Sequence, residues 1–372
     1  MPSKILERRL SILEKAKQLT EEQGFFTIPQ LSSLLGMPRT TVADWVSRLV
    51  REGHFKVLKP SSARKPATYA YVFKEVLPIS PCKRIFALAD SAHMLVELCH
   101  ECLSFGAMCF CQLEYQRSSR LLLSSRIEGS FLRLRMKIGK YSVDVGPPPK
   151  PALGVESIEL LEGFVKVIMK AYGGAAHSLM ETMPHAKGVV EVSVKRGGDF
   201  AVGELLLKSY ARVVVGVDDT DSPKGGATWA LTLDVARRLC EKLGEDAILL
   251  SHKVVALDPL NKWRTAGNYA SLVEVALHPS KVSSFLEAFA REITAQSLSS
   301  FTGVAWLQGL YIPQVLRQLG FAAKKMEIPL EKLESVCKEA GVEVLLGKGK
   351  RGCVGAVAAL SFVDDVEHAL KV

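Results

Sequence analysis

Residues 211–229 read ARVVVGVDDTDSPKGGATW, and this stretch decides how the C-terminal part of the chain is organised. The apolar, β-branched run 211–217 has the character of a buried strand. After the loop, Leu231, Leu233, Val235, Ala236 and Leu239 recur at the spacing of an amphipathic helix. A strand, a polar loop and a helix predict an α/β (α+β) fold. The loop carries Asp218, Asp219 and Asp221. Three carboxylates this close repel one another, and a hard cation such as Mg²⁺ resolves the repulsion by taking carboxylate oxygen together with substrate phosphates. Gly225 and Gly226 lead into the helix at Thr228, and the free N–H groups of a helix N-terminus suit phosphate. A solvated, capped turn accounts for one aspartate but less readily for three followed by two glycines.

Two further segments point the same way. Residues 261–268 (NKWRTAGN) bring Lys262, Arg264, Thr265 and Asn268 together, the mixture of cation, hydroxyl and amide that a phosphate or ribose site uses. Residues 347–356 (GKGKRGCVGA) place Lys350 and Arg351 beside Gly352 and Gly355 ahead of an Ala-rich helix. This is neither a Walker loop nor a Rossmann fingerprint, yet glycines and cations before a helix resemble a phosphate cradle.

These motifs, in this order, resemble the ATP-dependent kinase-like domain of the archaeal isoleucine-tRNA 2-agmatinylcytidine synthetases over residues 210–370. The segment 226–231 (GATWAL), with 300–305 (SFTGVA), is similar to methanogenesis marker protein 11, a relative of that family. The resemblance implies ATP and Mg²⁺ as cofactors and activation of a cytidine carbonyl in tRNA. It implies that Asp218, Asp219 and Asp221 hold Mg²⁺ and nucleotide phosphates and that Gly352 and Gly355 line a phosphate loop. Two departures stand out. In the synthetases the aspartate motif opens the chain, whereas 217 residues precede it here, and their Cys-Thr pair is Ala227-Thr228 here.

Working outward, the composition is 48% hydrophobic and 23% charged, which is globular rather than disordered. No apolar run reaches the roughly 18 residues that span a bilayer. The N-terminus lacks the apolar core of a signal peptide, and eight Cys in 372 residues form no disulfide framework. A cytoplasmic protein with no membrane partner is expected. The net charge is +9, and residues 1–78 carry +6 of it, so a dedicated nucleic-acid module is expected there.

That module is predicted as three helices and a hairpin. Ile5, Leu10, Ile12, Leu13 and Ala16 mark the first helix, Thr27 caps the second and Gly36 stops it, and residues 38–52 form the third. Residues 54–59 and 68–73 read as strands around a basic turn. Over residues 1–75 this resembles the winged helix-turn-helix family. The resemblance implies Arg39, Thr40, Thr41, Ser47 and Arg48 as groove contacts and Arg64 and Lys65 as phosphate contacts, with DNA or tRNA as partner. The same fold also serves as a protein-docking module.

A middle domain is expected over 79–205 and the ATP-binding domain over 206–372. Residues 106–115 read as a strand and 157–172 as an amphipathic helix. In 131–137, Arg133, Arg135 and Lys137 share one strand face, either tracking a phosphate backbone or facing solvent. Cys99, Cys102, Cys109 and Cys111 read either as a zinc site or as buried thiols. Two functions emerge. One is an ATP- and Mg²⁺-dependent phosphoryl-transfer or substrate-activating enzyme acting on RNA. The other is a winged-helix transcriptional regulator whose C-terminal domain senses a nucleotide.

Overall fold

The computed structural model of the chain describes residues 4–61, 65–72, 81–264, 267–346, 351–365 and 367–371. Arg64, Thr265 and Lys350 lie outside the described residues. The chain divides into two units, 1–79 and 80–372, and its elements mix helix and strand throughout.

The first unit runs helix Lys4–Gln23, helix Ile28–Leu35, helix Arg39–Arg51, then strands Phe55–Lys59 and Thr68–Tyr71, paired antiparallel. Thr27 begins the second helix through a reciprocal cap: the Gln30 N–H donates to Thr27 Oγ1 at 3.4 Å, and the Thr27 N–H donates to Gln30 Oε1 at 3.0 Å. Ile12, Ala16, Phe26, Leu31, Val42, Val46, Leu49 and Phe55 form one buried core. Each such side chain contributes roughly 1.5–3 kcal/mol when fully buried, Ala16 less.

The second unit is organised by a single strand, Phe200–Asp218. Its first half pairs with Phe164–Tyr172 and Val189–Gly197, and its second half with Tyr269–Leu277 and Gly303–Gln308, all antiparallel. Cys82–Asp90 joins it near Ser209 and Tyr210 in parallel. The boundary expected between 205 and 206 therefore falls inside one 19-residue strand.

Three local readings are corrected. Residues 157–172 form no helix. They belong to strands Leu153–Leu161 and Phe164–Tyr172, an antiparallel hairpin turning at Gly163, where φ is +75°. Val165, Val167, Met169 and Ala171 are buried and their neighbours only partly so, so period 2 prevails over the competing period of 3.6. Conversely, residues 106–115 lie in helix Phe105–Ser118, started by Ser104, whose Oγ accepts the Ala107 N–H at 3.2 Å. Third, Arg133 and Arg135 neither face solvent nor reach a phosphate backbone.

They enter an ion network beneath the sheet. Arg135 Nη1 meets Asp364 Oδ2 at 2.7 Å, and Arg212 Nη2 meets Asp364 Oδ1 at 2.6 Å. Arg133 bonds Glu97, Glu128 and Glu274, and Lys253 Nζ meets Glu128 Oε1 at 2.9 Å. Glu97, Glu274, Arg212 and Lys253 are 0% exposed. Burial alone would raise Glu97, but Arg133, Arg126 and Arg135 outweigh it and hold the carboxyl at about 2. Glu274 and Asp364 are likewise held well below the usual carboxylate range, by Arg133 with Arg212 and by Arg212 with Arg126 respectively, against the effect of burial.

Candidate functional site

The spine strand ends at Asp218, and the chain turns at once. Asp219 takes a positive φ of 55°, a conformation that costs a non-glycine residue energy and clusters at functional sites. The turn is held from several sides. The Asp219 N–H donates to Asp218 Oδ1 at 2.9 Å, and Thr302 Oγ1 donates to the Asp219 carbonyl at 2.9 Å. Thr228, at the start of helix Thr228–Leu243, accepts from the Thr220 N–H and hydroxyl at 3.2 and 3.0 Å and donates to Asp221 Oδ1 at 3.0 Å. Its hydroxyl is thus engaged in shaping the loop.

Helix Gly352–Leu360 packs directly on this strand end. A Cβ on Gly355 would lie 1.8 Å from Asp218 Oδ2, and one on Gly216 would lie 2.1 Å from the Ala356 carbonyl oxygen. Only the absence of both side chains lets the helix approach Asp218 this closely. Gly352 opens the helix and donates its N–H to the Phe301 carbonyl at 3.0 Å.

Between these elements lies a cavity of about 400 Å³, within the range of small-molecule sites. Asp218, Asp219, Asn261, Asn268, Arg351 and Gly355 line it, with Trp263, Phe301, Met326 and Ile328 among its apolar walls. Arg351 Nε stands 3.3 Å from Asp219 Oδ2, and its guanidinium carbon lies 4.0 Å from the Phe301 ring centre and 5.0 Å from that of Trp263. Burial and then the adjacent Asp219 push Asp218 well above the usual carboxylate range. Asp219 is also raised, by burial, although Arg351 works against it. The pair is short of positive charge.

The remaining expected residues divide. Asn268 lines the cavity and donates its Nδ2–H to the Asp258 carbonyl at 2.8 Å. Asp221, Gly225, Gly226 and Thr228 stand in the adjoining loop. Ser222 and Gly225 exchange backbone hydrogen bonds of 2.9 and 3.0 Å there, leaving Gly225 and Gly226 exposed. Lys262 and Arg264 are exposed near the rim, Lys262 with Glu327 at 3.4 Å. His252 is buried in a strand, bonded through Nε2 to Ser271 Oγ at 2.9 Å and pushed down to about 4 by burial. Sequence motifs missed the wall formed by Met326, Ile328 and Leu330, which carries no motif.

The four cysteines read as one group divide: Cys102 and Cys111 line one cavity together with Cys82, and the other two stand apart. Cys99 is buried near Phe86 and Phe131, and Cys109 is exposed on its helix. In the first unit Arg39, Thr40, Ser47 and Arg48 are exposed on the third helix and Thr41 is half-buried; Lys65 is exposed in the hairpin turn. Arg48 is engaged by Glu52 at 2.8 Å and lies over the Trp45 ring. Among the described residues no helix is long and apolar enough to cross a membrane.

Residues 214–301 match the family model for the TiaS TCKD domain. An uncharacterized protein of Methanocaldococcus jannaschii is 29% identical over 294 residues, 77% of this chain and 95% of that protein. The isoleucine-tRNA 2-agmatinylcytidine synthetase TiaS of Pyrococcus horikoshii is 29% identical over 157 residues, 40% of this chain and 35% of the synthetase. That of Pyrobaculum neutrophilum is 30% identical over 151 residues, again 40% and 35%. A crystal structure of TiaS in complex with its isoleucine tRNA, AMPCPP and agmatine aligns with a TM-score of 0.36 at 22% identity, over 41% of this chain and 36% of that one. The match to each of these two synthetases spans 35% of its length. The matched segment, 214–301, contains the Asp218–Asp219 turn, Trp263 and Phe301, and over it the chain is similar to the agmatidine synthetases.

Proposed function

We propose that the second unit binds ATP and Mg²⁺ in the cavity beside Asp218 and that the chain activates or phosphorylates an acceptor on RNA, with tRNA as the acceptor class. The observation that carries this reading is a pair of carboxylates short of positive charge on the wall of an aromatic-walled cavity. Mg²⁺ is commonly held by one or two protein carboxylates, waters and substrate phosphates. Asp218 and Asp219 fit that donor set. Among the described residues no three His, Cys, Asp or Glu side chains converge as an all-protein centre, so the remaining ligands would be water and phosphate.

Trp263 and Phe301 offer flat faces to a base. Arg351, held between them and against Asp219, offers a planar fork of donors suited to phosphate oxygens. Asn261 and Asn268 add amide groups, and Lys262, Arg264, Thr265 and Lys350 neighbour the cavity in sequence. ATP held there would supply the phosphoryl group for transfer or activation. The tRNA acceptor is supported by the names of the synthetases to which the segment is similar.

The first unit is proposed as a winged-helix module that docks the nucleic acid. Three helices and a hairpin in this order, with Arg39, Thr40, Ser47 and Lys65 exposed, support it.

Full-length protein is expected to turn over ATP only with Mg²⁺, faster with total tRNA, and Asp219→Ala is expected to lose turnover while remaining folded. ATP binding without turnover in the presence of tRNA would sink the enzyme reading.

A further inference from the structure

Away from the aspartates, a second cavity of about 270 Å³ lies where strands Cys82–Asp90 and Leu95–Cys102 meet helices Phe105–Ser118 and Gly174–Glu181. Six residues lining it carry sulfur: Cys82, Cys102, Cys111, Met108, Met169 and Met183. The whole chain has 8 Cys and 9 Met, so this concentration is far from even.

Strand register fixes two of the thiols. Cys82 stands directly opposite Cys102 in the antiparallel pair. The Leu103 N–H donates to the Pro81 carbonyl at 3.1 Å, so Pro81 and Leu103 form the hydrogen-bonded pair and Cys82 and Cys102 the non-bonded one. Cα atoms in such a pair approach to about 4.5 Å, with side chains on one face. Cys111 enters from the helix, close enough to interact electrostatically with both.

The chemistry narrows the ligand. Among the described residues no three His, Cys, Asp or Glu groups converge on a metal position, which disfavours tetrahedral zinc. Thioether and thiolate sulfur together suit a soft ion that accepts few ligands.

We propose that this cavity binds a soft monovalent metal ion of the Cu(I) class, held by the Cys82 and Cys102 thiolates with methionine thioethers beside them. Binding expels one proton from each thiol and transfers no electron. Burial, then the effects of neighbouring thiols, push Cys111 up to about 12.

The test is anaerobic titration of the full-length chain with Cu(I) against a chromophoric Cu(I) chelator. One ion per chain is expected to be retained, with release of two protons. Even partners outside the ligand set are worth about 10–100-fold in metal affinity, so Cys82→Ser with Cys102→Ser is expected to weaken retention by more than about 100-fold. Cys109→Ser, whose exposed thiol lies off the cavity, is expected to match the parent. Should the double variant fail to fold, Met169→Leu with Met183→Leu, a nearly volume-neutral change, is expected to weaken retention about tenfold on the same scale. A parent chain that yields Cu(I) as readily as the double variant, retention lost in Cys109→Ser, or retention unchanged in the Met variant overturns the proposal.

Discussion

Two sets of carboxylates attach to the same strand and are treated in opposite ways. Near Arg212, the carboxyls of Glu97, Glu274 and Asp364 sit among guanidiniums that hold them far below their ordinary range. Six residues further on, Asp218 and Asp219 have Arg351 near them, and burial with mutual repulsion drives Asp218 up instead. The cluster around Arg212 has its charge matched from within the chain and serves the fold. The pair at the strand's C-terminal end is kept short of charge, as suits a group that meets a cation arriving from outside.

The largest effect is expected from stripping a cation from the matched cluster. Arg133→Met leaves Glu97 and Glu274 buried with fewer partners and is expected to destabilise the second unit by about 3–5 kcal/mol, read by urea unfolding. A loss below about 1 kcal/mol would mean that the network contributes little. Acid gives the next effect. Because Glu97 is lowered from 4.5 to about 2, its contribution is present above pH 4.5 and disappears as pH falls toward 2. The melting temperature is expected to fall steeply in that window, and Glu97→Gln is expected to flatten the fall.

The smallest effect runs in the opposite direction. Asp218 is raised, so its contribution is favourable at low pH and is lost as pH rises through the folded value. Asp218→Asn removes that loss. The variant is expected to equal the parent in acid and to exceed it by about 0.5–2 kcal/mol at neutral pH, while ATP turnover disappears, the trade expected of a strained functional site. A destabilised Asp218→Asn at neutral pH would show that the two carboxylate clusters do not differ as described.

The aspartate loop is legible in the sequence because its chemistry is contiguous: three carboxylates and two glycines within nine residues need no long-range information. The first unit is legible for a similar reason, since Thr27 and Gly36 mark their helix ends locally. Arg133 is not. Its partners Glu97 and Glu274 lie 36 and 141 residues away, and strand alternation says which residues share a face but not what covers it. Residues 157–172 mislead because Ile158, Leu161, Phe164, Val165, Ile168 and Met169 satisfy a helical period while Val165, Val167, Met169 and Ala171 satisfy a strand period. The turn before Phe164 decides between them, and Gly163 is its one local sign. The cavity wall at Met326 and Ile328 is apolar sequence with no motif and acquires meaning only through its distance from Asp218.

The 19-residue strand that carries Arg212 and Asp218 also governs what can be inherited or dissected separately. A cut between 205 and 206 would sever it and remove Arg133 and Arg135 from Glu274 and Asp364. Residues 206–372 would then carry acidic groups into an apolar interior with part of their neutralising charge gone, beside a newly exposed strand edge. In this chain residues 206–372 are not a detachable cassette. A recombination that moved it without residues 80–205 would have to rebuild the missing arginines at the same time.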